Sequence, residues 1–281
     1  MVLLLSVLCA LCLGTAHVTA KRGLGAMDAR AGAAISISTA TAVFVIVSPI
    51  ALDLSGLNLL AVGIFAAVGL IYPALSTLVT FEANDRLGAT VTSAVSGTAP
   101  VFALVGAAVF VGEVITAQAI IASIGVALGI AVFSWRRGAL RAGFRGYDLL
   151  FPLIAAIARG TGQALAKTGL TLWPNPFAAS IISYVIASAA VVTVNRAPLE
   201  RRISRQGARW FILTGALNCI AVMALYTALS RAPVSYVAPI IATFPLVTAA
   251  LSAALGQERL TVQNIVGSLI SVSAVIILVS S

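Results

Sequence analysis

Apolar runs of roughly the length needed to cross a bilayer recur from one end of this 281-residue chain to the other, separated by short polar breaks. A helix needs about 20 residues, at 1.5 Å each, to cross about 30 Å of hydrocarbon. Ten such stretches are predicted: Val2–Ala20, Ala31–Leu52, Leu57–Thr80, Gly88–Val111, Ile115–Trp135, Leu149–Thr168, Phe177–Val194, Ala208–Leu229, Val234–Leu255 and Val262–Ser280. Hydrophobic residues make up 60% of the chain and charged residues 9%, against about 25% charged in a soluble domain. Too few polar side chains exist to cover a water-facing globule. That excludes an ordinary cytosolic enzyme, a disordered tail and a disulfide-stapled secreted domain. The runs lack the alternation of an outer-membrane barrel. Helices satisfy their own backbone bonds in lipid, so an all-α integral membrane protein is expected.

The chain repeats itself. Gly14-Thr15-Ala16-His17-Val18-Thr19-Ala20-Lys21-Arg22-Gly23-Leu24 aligns without gaps on Gly160-Thr161-Gly162-Gln163-Ala164-Leu165-Ala166-Lys167-Thr168-Gly169-Leu170, with six of eleven positions identical at an offset of 146. A second block matches at 145: Arg86 on Arg231, Thr98 on Thr243, Pro100 on Pro245, and Glu113 to Gln118 on Glu258 to Gln263. Apolar helices resemble one another by chance. Proline, glutamate, glutamine and lysine at nearly one offset do not, so a duplication is read. The first copy is residues 1–135, a basic linker is 136–148, and the second copy is 149–281. Each copy has five spans, an odd number, so the second copy should enter from the opposite side. The expected architecture is ten transmembrane helices as two inverted five-helix repeats. Many secondary transporters are built this way, with a midplane site opened alternately to each side. A duplicated scaffold without transport is the bland reading.

Net charge is +9. Of the 17 basic residues, 14 fall in loops after odd-numbered spans: Lys21, Arg22, Arg30, Arg86, Arg136, Arg137, Arg141, Arg145, Arg196, Arg201, Arg202, Arg205, Arg209 and Arg259. The positive-inside rule places those loops in the cytoplasm and both termini outside. No polar segment mixes bases with stacking aromatics, so nucleic acid is not an expected partner. Cys9, Cys12 and Cys219 lie in apolar runs and read as small buried hydrophobes. Val18-Thr19-Ala20 resembles a signal-peptidase site. No basic residue precedes the first apolar run, and the repeat gives that segment a partner, so it is read as retained.

Arg159 falls near the middle of the sixth span, about 15 Å from its start at 1.5 Å per residue. A central arginine costs about 2.5–3.5 kcal/mol on insertion scales and must face the interior or a wet cavity. No acidic residue lies near the middle of any span. A cation without a protein counter-ion suggests a site for a carboxylate or phosphate, which guanidinium grips with parallel hydrogen bonds. Gln163 follows one turn later on the same face. Thr15 and His17 occupy the matching stretch of the first span, and Tyr72 and Asn218 are further candidates. Alternatively, Asn218, a proline-freed carbonyl or Glu82 holds Arg159. His17 could carry a proton or pack by hydrogen bonding. Pro100, Pro239 and Pro245 break the fourth and ninth spans, beside Thr92, Ser93, Ser96 and Thr98 in one and Ser235, Tyr236 and Thr243 in the other. Either these helices line a polar path and flex at proline, or the bends serve packing. Glu113 and Glu258 are expected to cap the fifth and tenth helices, and Lys21 and Lys167 to snorkel to the interface.

A proline in the fourth helix, then Gly112-Glu113, then Gln118 five residues after the glutamate, resembles the drug/metabolite transporter superfamily, EamA type. The second copy is similar, with Gln257 between the glycine and Glu258. Members often carry Trp-Gly and a small polar residue in the first and sixth helices. This chain has Leu13-Gly14-Thr15 and Arg159-Gly160-Thr161, without the tryptophan. The resemblance spans nearly the whole chain. It implies a ten-helix carrier in the cell (inner) membrane, moving small metabolites, amino acids or related solutes, often outward. It also implies both termini inside, against the charge count. A small-molecule substrate and the lipid bilayer are the expected partners, and ten helices can form a pathway in one chain, so a monomer is expected. An integral-membrane enzyme would need clustered acid–base or metal residues, and a channel rings of charge or filter carbonyls. A non-transporting membrane protein is therefore the runner-up. No P-loop is present, and no residue pattern calls for a cofactor or metal.

Overall fold

The computed structural model describes residues 1–87, 92, 95–134, 146–194, 204–255 and 261–280. The expected sites Ser93, Glu258 and Arg259, and most of the basic linker, lie outside them. We number the helices α1 (Val2–Leu24), α2 (Ala29–Ala51), α3 (Leu59–Gly69, Leu70–Leu75 and Ser76–Leu87), α4 (Ala99–Val111), α5 (Ala117–Ser134), α6 (Leu150–Leu172), α7 (Pro176–Val194), α8 (Arg205–Arg231), α9 (Val234–Ile241 and Phe244–Ala254) and α10 (Val262–Val279). Among the described residues, eight helices are long and apolar enough to cross a bilayer; α4 and α5 are shorter apolar helices. The ten expected spans thus correspond, among the described residues, to eight helices of that length and two shorter apolar ones.

Side-chain caps define many helix starts. Asn58 accepts from the backbone N–H of Leu60 and Ala61 at α3, and Asn175 from that of Ala178 at α7. Thr261 and Asn264 form a reciprocal capping box at α10. Thr116 accepts from Ala119 N–H at α5. Thr116 and Thr261 are repeat equivalents, 145 residues apart. The threonine after each glutamate is therefore the cap, correcting the expectation for Glu113. Gly112 ends α4 in the left-handed region at φ 72°, where a side chain would be strained. The polar stretch Glu82–Arg86, between the third and fourth expected spans, is helical to Leu87. Its Arg86 bonds Glu82 (2.7 Å) and reaches Asp148 (3.3 Å) ahead of α6.

The two prolines shared by the repeat do not kink continuous helices. Pro100 and Pro245 sit in the first turn of new helical segments, after breaks at Gly97-Thr98 and Ala242-Thr243. There the missing N–H has no partner to lose. Thr98 Oγ donates to Val95 O and Thr243 Oγ to Ile240 O, both at 2.7 Å. Two identical turns thus interrupt the fourth helix of each copy. Of the three prolines read as breaks, Pro239 alone lies inside a helical segment.

Packing runs mainly between the copies, and it is reciprocal. α1 packs on α8 as α6 packs on α3; α2 packs on α8 as α7 on α3; α1 meets α9 as α6 meets α4; α2 pairs with α7, and α5 with α10. An added Cβ on Gly14 would stand 2.6 Å from Val247 Cβ and 2.9 Å from Phe244 O; on Gly160 it would stand 2.7 Å from Phe102 Cβ and 2.6 Å from Ala99 O. Val247 and Phe102 are repeat equivalents, as are Phe244 and Ala99. Each first-helix glycine thus lets its backbone touch the other copy's fourth helix at the same place. In lipid, with no hydrophobic drive between helices, such close approach supplies the van der Waals attraction. The outer surface is apolar: Ile46, Ile50, Leu59 and Val262 are all strongly exposed.

Contacts also fix which helix ends lie together. The end of α8 meets the start of α1 through Arg231 and Met1 Sδ (2.8 Å), and meets the end of α6 through Lys167. The loop after α6 then bonds the loop after α2, from Trp173 Nε1 to Ser55 O (3.0 Å) and from Asn175 to Asp53 O (2.6 Å). In that loop the Ser55 hydroxyl and N–H donate to Asp53 and hold its carboxyl below the usual range. At the opposite end, Arg22 of α1 stacks 4.9 Å over Trp210 of α8, and Arg86 of α3 reaches Asp148.

Candidate functional site

Glycines in α6 bring its neighbours close enough to surround Arg159. Gly160 takes α4, and Gly162 takes Tyr72, whose Cβ would stand 2.8 Å from an added Cβ. Tyr72 is extended (φ −144°, ψ 112°) at a kink ahead of Pro73 that interrupts α3. That local break brings its side chain against α6 at Gly162.

The guanidinium of Arg159 lies 5.1 Å from the Phe244 ring centroid. The same ring stacks on His17 at 4.8 Å and 26°. Arg159 also interacts electrostatically with Tyr72, Cys9 and His17. Cys9, Leu13 and His17 recur every four residues and share one face of α1. The site therefore joins α1, α3, α6 and α9. Within it, Arg159 Nε and Nη1 are shut off from solvent without a hydrogen-bond partner, and so is Gln163 Oε1. Gln163 is 4% exposed. No carboxylate among the described residues pairs with Arg159. Of the three alternatives, Asn218 donates to Ser36 Oγ (3.4 Å), Glu82 accepts from Arg86, and no backbone carbonyl bonds Nε or Nη1. Buried donors are nearly always satisfied, so these unpaired atoms call for a partner from outside the protein's own side chains.

The other candidates divide. Ser96 and Thr92 are buried with unpaired hydroxyls. Thr15 Oγ donates to Leu11 O (2.8 Å), and Thr243 to its own turn. Tyr236 is half-buried against the apolar core. His17 packs through its ring face. Asn218 belongs to the α2–α8 contact.

Three features escaped the sequence. Phe244 is one. The others are the true partners of Glu113 and Lys167. Glu113 accepts from the N–H groups of Val234 (2.7 Å) and Ser235 (3.2 Å), capping α9 of the other copy. Lys167, expected to snorkel, donates to Leu229 O (2.7 Å) and Ala232 O (3.0 Å). The turn between α8 and α9 is thus held by a cation on its carbonyls and an anion on its amides, each complementing a helix dipole. Only Phe244 had a local signal: it adjoins the shared Thr-x-Pro and replaces Ala99 of the first copy.

An all-helical, multi-pass membrane protein with an orphaned cation among its helices is the class these features define. The chain belongs to the EamA-like transporter family, which matches residues 1–135 and again residues 147–280. It is thus a membrane transporter of the drug/metabolite type. No curated protein matches it. Among 27 matching solved chains, one crystal structure shares the fold at a TM-score of 0.79 and 14% identity, covering 98% of this chain and 95% of that one.

Proposed function

We propose that this chain is a secondary carrier working by alternating access, with ten spans in two inverted five-helix repeats and Arg159 as the anchor for a small anionic metabolite. The carrying observation is that Arg159 Nε and Nη1 are buried without acceptors, with the unpaired oxygen of Gln163 one turn further along α6. The guanidinium desolvation cost is offset only when a ligand supplies the acceptors. Amino-acid-like solutes belong to this class. Two contacts support inversion. The start of α1 and the end of α6 both meet the end of α8, although α1 and α6 are repeat equivalents. Reciprocal packing lets the halves exchange conformations. The reading places a monomer in the cell (inner) membrane. The face of Arg22, Arg86 and Arg205 is cytoplasmic, by charge, and the family resemblance favours export.

The test is thermal stability of purified protein against acetate, benzoate, hexanoate, succinate, glutamate and phosphate. At least one anion should raise the melting temperature of the wild type and leave Arg159→Gln unmoved. A panel without any Arg159-dependent shift overturns the anion site.

A further inference from the structure

The site is unequal about its own pseudo-symmetry, and that inequality describes a ligand. Resting on the anion-carrier reading above, we infer that the solute is an amphipathic monoanion: one carboxylate-like head and an apolar body.

Charge sets the head. Arg159 is the one cation at mid-depth among the described residues; Lys21, Arg22 and Lys167 stand toward helix ends, and Lys167 is committed to the α8 carbonyls. A second negative charge would enter the membrane interior without a counter-ion, which is far costlier than an unpaired dipole.

Broken repeat symmetry sets the body. Polar groups stand at Thr92 and Ser96, ahead of α4, and at Arg159 in α6. Their equivalents in the α9–α1 pair are Val237, Ile241 and Leu13, all three buried in one apolar cluster together with Phe244. Phe244 in turn replaces the small Ala99. Phe244 therefore does two things. Its face supports the Arg159 guanidinium, leaving the guanidinium edge free for a planar head. It also sets an aromatic ring beside the guanidinium where the first copy has only Ala99, so Phe244 is a specificity-determining residue.

Ranking ligands on the wild-type protein tests this directly. Benzoate and hexanoate should bind about tenfold or more tightly than acetate, succinate or inorganic phosphate, since each tenfold corresponds to only about 1.4 kcal/mol. Arg159→Gln should lose the effect for all of them. Phe244→Leu should weaken benzoate more than hexanoate. Succinate or phosphate binding as well as benzoate, in an Arg159-dependent way, overturns the monoanion inference and leaves the anion carrier standing. Equal binding of acetate and hexanoate overturns the apolar body. Shifts that persist in Arg159→Gln, or no shifts at all, overturn both.

Discussion

Arg159 stands where a folded chain alone would not keep it. Its Nε and Nη1 are buried and unpaired, and a central arginine costs about 2.5–3.5 kcal/mol on insertion scales. Replacing it by leucine, the residue of the equivalent position in the first copy, should raise the melting temperature of the solubilised protein. The same change should abolish anion-dependent stabilisation. A lower melting temperature for Arg159→Leu would mean that the guanidinium is satisfied and structural. This residue was legible in the sequence because charges are rare inside spans. Phe244 was not read there: its place beside the shared Thr-x-Pro was a local signal, but its stacking on Arg159 and His17 is set by the fold. Thr15 and Thr243 looked like ligands for the opposite reason. A helix offers every hydroxyl a carbonyl three or four residues back, and both take it.

Among elements, local signals were read well and partners poorly. The breaks at Pro100 and Pro245 were visible from proline chemistry, and their form as paired turns followed only from coordinates. Glu113 sits after a left-handed Gly112, so its sequence neighbourhood points to α5; its carboxylate caps α9 of the other copy instead. Glu113→Ala removes two charge-assisted bonds and should cost about 1.5–3 kcal/mol of stability, measured by denaturation in mild detergent. A loss below the error of that measurement would count against the clamp. Lys167→Met, which frees Leu229 O and Ala232 O, should act at the same turn. The double variant should then lose less than the sum of the two. Close approach gives a second test. Gly160→Ala places a methyl 2.6 Å from Ala99 O and 2.7 Å from Ala103 N, backbone atoms with little room to yield. It should destabilise by about 1–3 kcal/mol. Gly63→Ala, with open space around it, should be neutral or stabilise by about 0.5–1 kcal/mol.

For the whole molecule, the duplication was the most legible property, since shared proline, glutamate and threonine positions outlast drift among apolar residues. Its three-dimensional counterpart is reciprocal packing, with Gly14 on α9 and Gly160 on α4. Helix ends were less legible, because hydropathy does not say where a helix ends: α5 begins at Ala117, two residues past its expected start. Alternating access is the claim on which the functional account depends. It is tested by placing a single cysteine at Gln163, with Cys9, Cys12 and Cys219 replaced by alanine. A membrane-impermeant maleimide is then applied to right-side-out and inside-out vesicles. The account predicts labelling from both sides, with benzoate slowing each. Labelling from one side only, or from neither, would contradict it.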